Sequence, residues 1–110
     1  MSQSEKSQVV VAFSTVDSEK EAKRIAHALV EAKLVACVNI LPKATSIYFW
    51  EGKVCEEGEV VLILKTKQDC VEDLKEAFEE LHPYDVPELV ILPVEEGLPA
   101  YLKWVIQSTE

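Results

Sequence analysis

The 110-residue sequence predicts an α+β domain whose elements follow the order β-α-β-β-α-β, with one extra helix at the C-terminal end. Two amphipathic helical patterns and four segments rich in β-branched residues carry this prediction. The length is typical of one compact domain, and 48% apolar residues are enough for a hydrophobic core. We therefore expect a single domain over residues 1–110, with the polar residues 1–7 disordered.

The first half of the chain contains a strand, a helix and one arm of a hairpin. Residues 8–15 (QVVVAFST) are typical of a strand that is buried on both faces. Ser18 and Glu21 have the spacing of a helix N-terminal capping box, and apolar residues follow them at helical intervals. Residues 35–50 predict a second strand, which bends at Pro42.

The second half completes the hairpin and adds a helix, a strand and the terminal helix. The turn Glu51-Gly52-Lys53 leads into a third strand over residues 54–66, so the hairpin is long and its tip projects. Asp69 predicts the N-terminal cap of the second helix. Residues 89–94 predict a fourth strand, and Pro99 suits the first turn of the last helix.

Right-handed crossover connections join these elements into a ferredoxin-like sandwich, in which one face of a four-stranded sheet carries both long helices. In this topology the second strand is at an edge of the sheet, where unpaired backbone groups invite pairing with another chain. The consecutive residues Tyr48, Phe49 and Trp50 alternate between two faces near the hairpin tip, and one subunit cannot cover both. The sequence therefore predicts a closed homo-oligomer with these three residues in its interface. Alternatively, Tyr48 and Trp50 fold back on their own sheet and Phe49 is exposed.

The charge balance limits the possible partners. Acidic residues outnumber basic ones by 20 to 11, and a net charge of −9 opposes binding to nucleic acids and anionic membranes. No apolar run is long enough to span a bilayer, and we expect a cytoplasmic protein with neither partner. Cys37, Cys55 and Cys70 fit neither a disulfide framework nor a Cys-x-x-Cys zinc site, which predicts free thiols. The positions of Cys55 and Cys70 predict exposure.

Residues 82–88 (HPYDVPE) form the densest group of polar and aromatic side chains in the chain. The two prolines predict a stiff loop that holds an imidazole, a phenol and two carboxylates. Copper and zinc bind neutral imidazole, thiolate and carboxylate groups. The candidate ligands for Cu(II) or another divalent cation are therefore His82, Cys37, Glu88 and Asp85. Alternatively, His82 only ends the preceding helix, with its ring near the last helical carbonyl groups, and Cys37 is a small buried hydrophobe.

Glu59 and Lys65 lie an even number of residues apart on the predicted third strand and therefore face the same side of the sheet. With Tyr84 or Glu88 they are candidates to line a cleft, although an ordinary cross-strand ion pair explains them as well. The sequence contains only three glycines and neither a nucleophile–base signature nor a phosphate-binding glycine loop. We therefore expect a binding protein and not an enzyme.

Four blocks of the sequence resemble those of the CutA divalent-cation tolerance family. They are residues 36–39 (ACVN), 48–53 (YFWEGK), 65–66 (KT) and 82–88 (HPYDVPE), and the resemblance covers residues 9–107 in matching order and spacing. It implies a tight homotrimer that is joined through the long hairpins and has the shape of the PII signalling proteins. It also implies a role in divalent-cation tolerance, with copper binding.

The positions that match the family blocks are expected around clefts between neighbouring subunits: Cys37, Trp50, Glu59, Lys65, His82, Tyr84 and Glu88. In some bacterial members a cysteine on the first strand and a histidine just before His82 serve as copper ligands, whereas this chain has Phe13 and Leu81 there. A copper site of that type is therefore incomplete, which leaves His82 with Cys37 or a carboxylate. The alternative function is a PII-like signalling or scaffold trimer whose cleft binds a small ligand or a partner. That cleft is lined by Trp50, Glu59, Lys65 and Tyr84.

Overall fold

The computed structural model describes residues 8–110 and has the predicted order of elements, so the prediction for residues 1–7 lies outside it. The strands are β1 (Val9–Val16), β2 (Cys37–Trp50), β3 (Lys53–Lys67) and β4 (Val90–Pro93). The helices are α1 (Glu19–Glu31), α2 (Val71–Leu81) and α3 (Pro99–Ser108). The strands form one antiparallel sheet in the order β2-β3-β1-β4, which confirms that β2 is an edge strand.

One hydrophobic core lies between the sheet and helices α1 and α2. On the sheet, Ala12 of β1 is directly opposite Leu64 of β3, and both side chains are fully buried. The helices contribute Ile25, Leu29 and Phe78, each no more than 1% exposed. These residues repeat at helical spacing, as the amphipathic patterns predict. The packing leaves the other face of the sheet, called here the open face, turned away from α1 and α2.

The open face is rich in apolar side chains. Phe13 of β1 is opposite Ile63 of β3 on this face, and both are only partly buried. On the edge strand β4, Val90 and Leu92 are 50% and 52% exposed. The prediction that β1 is buried on both faces is therefore wrong for a single subunit, because Val11, Phe13 and Thr15 on the open face are only partly buried.

The β2–β3 hairpin projects from the body of the protein, whose dimensions are 50 × 28 × 23 Å. The strands are joined by Glu51 and Gly52, which both have positive φ values (50° and 81°), as the two-residue turns of twisted hairpins require. Near the tip, Ile47, Phe49 and Val54 are 67%, 70% and 70% exposed. The predicted long hairpin is confirmed, and its apolar tip is uncovered in the single subunit.

A bulge in β2 determines which hairpin residues lie on the open face. Leu41 pairs with Val61, but Ala44 pairs with Glu59, so β2 carries one extra residue at this point. Lys43 lies in the bulge and has a left-handed φ of 66°. Cross-strand partners share a face. Consequently Glu59 and the even-numbered residues of β2 beyond the bulge all lie on the open face.

The helix starts agree only partly with prediction. The Glu21 N–H donates a hydrogen bond to Ser18 Oγ at 3.1 Å, which confirms the first cap. The second is wrong, because Asp69 lies in a 3₁₀ turn (Gln68–Cys70) and no side chain of the described residues caps α2. The exposure predicted for Cys70 is also wrong. This thiol is buried, with Sγ 3.9 Å from the Lys33 carbonyl oxygen at the end of α1.

Candidate functional site

A groove of about 610 Å³ lies on the open face, between the hairpin and the loop that follows α2. The extra residue of the bulge brings the even-numbered hairpin residues to this side, and the loop crosses over the end of β1 to reach them. The side chains that give the groove its chemistry are Tyr48, Trp50, Glu59, Tyr84, Asp85 and Glu88.

His82 holds the loop against the sheet. It ends α2, is only 6% exposed, and donates its backbone N–H to the Phe78 carbonyl at 2.9 Å. Its ring Nε2 is 2.8 Å from the Thr15 carbonyl oxygen of β1, and its Nδ1 accepts the Tyr84 N–H at 3.2 Å. Because a carbonyl only accepts and an amide N–H only donates, these two bonds assign a neutral ring with the proton on Nε2. The ring therefore contacts β1 and not the last helical carbonyl groups, and both of its nitrogens are used.

The inner end of the groove contains a buried carboxylate. The Tyr84 hydroxyl donates to Glu59 Oε2 at 2.8 Å, and Glu59 is 9% exposed. Burial, and then this bond to a carboxylate, raise the pKa of the Tyr84 phenol well above its usual value, so it stays protonated. Within residues 8–110, Glu59 has no salt bridge and Oε1 has no hydrogen bond. No unbonded side-chain oxygen in this range is sealed from solvent, so Oε1 is open to the groove.

The outer end of the groove is aromatic. The Tyr48 hydroxyl donates to Glu57 Oε1 at 3.0 Å, and this bond raises the pKa of the phenol. Trp50, at the tip, is 51% exposed and lies opposite Lys53 of β3. From Lys53 to Glu59 the strand rises by roughly 20 Å. The groove is therefore elongated, with a carboxylate at one end and an indole at the other.

The groove unites three of the four residues that the sequence predicts for a cleft. Trp50, Glu59 and Tyr84 line it, but Lys65 does not. Lys65 lies farther along β3, where its Nζ donates to Asn39 Oδ1 at 2.5 Å. Even spacing correctly placed Lys65 and Glu59 on one face, but they do not form an ion pair with each other, because they are too far apart along the strand.

The predicted metal ligands are not assembled within one subunit. Cys37 is half-buried on β2, with its Sγ 3.9 Å from Asn39 Oδ1, while the His82 ring is already bonded on both nitrogens. Asp85 and Glu88 line the groove, whereas Cys37 and His82 do not. In the part of the chain that the structure describes, no three His, Cys, Asp or Glu side chains are grouped to hold a metal ion. The donor set in one subunit therefore does not fit a copper site.

Two features of the groove were not anticipated. Tyr48, predicted only as an interface residue, lines the groove, and Thr15 contributes both a lining side chain and the carbonyl that binds His82. The spacing of Tyr48 and Trp50, two apart on one strand, was the available signal for the first. Thr15 had no such signal, because a backbone acceptor leaves no trace in the sequence.

The three cysteines are free thiols, as predicted. No helix within residues 8–110 combines the length and the apolar content needed to cross a membrane.

The ferredoxin-like sheet, the projecting hairpin and the groove beside it define a small α+β protein with a ligand-sized groove. The family model described as CutA1 divalent ion tolerance protein matches residues 10–108. The chain belongs to this family.

Individual relatives agree in sequence and in fold. Protein CutA from Mus musculus is 51% identical over 102 residues, which are 93% of this chain but only 58% of the mouse protein. The structure of the divalent cation tolerance protein (Cut A1) from Thermus thermophilus has 49% identity and a TM-score of 0.90, covering 93% of this chain and 99% of that one. CutA from Xylella fastidiosa has 38% identity and a TM-score of 0.92, covering 94% and 100%. These similarities confirm the predicted ferredoxin-like fold.

Proposed function

We propose that this chain forms a homotrimer that acts in divalent-cation tolerance by binding a ligand in its grooves, without catalysing a reaction. The observation that carries the proposal is the apolar surface left uncovered on one subunit. Phe49 and Val54 at the hairpin tip are each 70% exposed, and Val90 and Leu92 on the open face are about half exposed. Covering a side chain of this size stabilises an assembly by roughly 1.5–3 kcal/mol.

The sheet edges explain why the assembly closes. Each subunit has two different edge strands, β2 and β4. Contacts between unlike edges of successive copies are heterologous, and such contacts form a closed ring when the rotation between copies allows it. The hairpin then extends over the neighbouring subunit, which covers its tip and places each groove beside a subunit boundary.

Direct binding of a divalent cation, copper or another, is the second candidate function. The relatives are named for divalent-cation tolerance, and the groove carries the carboxylates of Glu59, Asp85 and Glu88 in a chain of net charge −9. Because one subunit does not assemble a donor set, a metal site needs groups from a neighbouring subunit to complete it. Calorimetric titration with Cu(II) tests this, with weaker binding expected for Glu88→Gln if the groove is the metal site.

The setting that suits this protein is the cytoplasm. Three unpaired thiols are stable in a reducing compartment. The strong negative charge, which repels nucleic acid phosphates and anionic lipids, fits a protein whose partners are its own copies and cations.

Light scattering tests the trimer. The wild type should have three times the 12.3 kDa mass of one chain. Phe49→Asp places a charge where the interface requires an apolar group and should give smaller species, whereas the control Phe49→Leu should remain trimeric. A monomeric wild type, or a Phe49→Asp variant of unchanged mass, would overturn the proposed assembly.

A further inference from the structure

We propose that the groove is a site for a linear aliphatic polyamine, a flexible chain of CH₂ groups that carries several ammonium charges. The inference rests on the proposed function, which makes the groove the binding site, and it names the chemical class of the ligand. Three features of the groove point to such a ligand: the charge at its inner end, its aromatic outer end, and the distance between them.

The inner end lacks a positive charge. Glu59 is nine-tenths buried, and its only partner in residues 8–110 is a neutral phenol, which occupies one of its two oxygens. A carboxylate removed from water without a cation is costly, and a cationic ligand that reaches the free oxygen removes that cost. Asp85 and Glu88 add negative charge, and the groove lining formed by the described residues contains no lysine or arginine. The site is therefore complementary to a cation.

The protonated state of Tyr84 orients the acceptor. Because the pKa of this phenol is raised, it remains a donor to Glu59 Oε2 and leaves Oε1 free to accept from an ammonium group. His82 also holds this loop in place, because its Nδ1 accepts a hydrogen bond from the Tyr84 N–H. An acceptor held in place before binding loses little conformational entropy when the ligand arrives.

The length of the groove favours a chain over a single ion. Glu59 and Trp50 lie roughly 20 Å apart along the hairpin, with Tyr48 between them. An inorganic cation contacts one end only. A linear polyamine reaches from the carboxylate to the aromatic end, where its methylene groups pack on the rings and a further ammonium lies over the indole.

Calorimetric titration with spermine, a tetra-amine long enough to span the groove, tests the proposal on the full chain, with light scattering of the same samples. We expect one saturable site per subunit in the wild type. Glu59→Gln keeps an acceptor for Tyr84 but removes the charge, and it should weaken spermine binding at least about tenfold. The matched control is Glu80→Gln, an exposed residue of α2 on the other side of the sheet, which should change the affinity less than about twofold.

Two further measurements distinguish the contribution of the ligand's charge from that of its contact with the aromatic end. An uncharged diol of the same chain length should not bind, and Trp50→Leu should weaken spermine binding by about fivefold, because it removes the aromatic contact. The proposal is overturned if spermine does not bind, if Glu59→Gln and Glu80→Gln weaken binding equally, or if magnesium chloride binds in the Glu59-dependent way and spermine does not. Failure with an intact trimer rejects the ligand class alone, whereas a monomeric wild type rejects the proposed function.

Discussion

His82→Ala should destabilise the protein without removing a metal site. The substitution deletes the ring bonds to the Thr15 carbonyl and the Tyr84 N–H, at 2.8 and 3.2 Å, and leaves both backbone groups without that partner. Each loss costs about 1 kcal/mol. The ring also packs against Phe78 and Tyr84, with centroids 5.3 and 4.6 Å apart, and each such contact contributes about 1 kcal/mol. We therefore expect the free energy of unfolding to fall by about 4 kcal/mol.

The assay is urea denaturation followed by tryptophan fluorescence. All samples need one protein concentration, because subunit association makes apparent stability depend on it. The other histidine provides the control, since His27 lies exposed on α1 and His27→Ala should change stability by less than about 0.5 kcal/mol. Titration with Cu(II) should give the same result for both variants. If His82→Ala instead unfolds at the same urea concentration as His27→Ala and loses a stoichiometric copper site, the ring is a metal ligand and our account of it fails.

Two further substitutions and one deletion test other parts of the structure. The raised pKa of Tyr84 means that the unfolded phenol ionises near its ordinary value of 10.0 while the folded one does not, so stability should fall as the pH rises above that value. Tyr84→Phe should reduce this slope in urea titrations between about pH 9 and 11. Deleting Lys43 removes the extra residue of the bulge and leaves Pro42 alone opposite Val60, so Ala44 should still pair with Glu59, Tyr48 and Trp50 should stay on the open face, and light scattering should still give the trimer. Thr66→Val removes the donor, 2.8 Å away, to the Leu34 carbonyl in the core and should cost about 1–3 kcal/mol in urea denaturation.

Each of these has a contrary outcome. An unchanged alkaline slope in Tyr84→Phe would assign the pH dependence to other groups, Tyr48 first among them, because its pKa is also raised. Loss of the trimer in the Lys43 deletion would mean that the local bend and twist of the bulge are needed for the hairpin to reach its neighbour. A Thr66→Val variant as stable as the wild type would mean that the carbonyl finds another donor.

Periodicity alone predicted the elements of the fold, because the spacing of core residues such as Ile25, Leu29 and Phe78 reflects direct packing. The hairpin turn was equally readable, since Gly52 tolerates the positive φ that the turn requires. The bulge was not. Lys43 is not a residue type that favours a left-handed conformation, and pairing with β3 imposes it.

The sequence singled out Trp50, Glu59 and Tyr84 for a cleft between subunits, because a dense polar loop and an aromatic hairpin tip are local features, and these three residues lie together in the groove of one subunit. Lys65 shares their face but lies outside this groove, because strand alternation indicates a face but not a distance along it. The role of His82 depends on a carbonyl of β1 that is 67 residues away in the chain, and no sequence pattern reports such a contact.

The histidine that joins the loop to β1 also decides where this protein tolerates engineering. An insertion between His82 and Tyr84 would separate a ring nitrogen from the amide that it binds only two residues later. By contrast, residues 95–98 between β4 and α3 are exposed and belong to no helix or strand, so a fluorescent or affinity tag inserted there is expected to leave the groove intact. The segment from His82 to Tyr84 must therefore keep its length, whereas the segment 95–98 is free to vary in length.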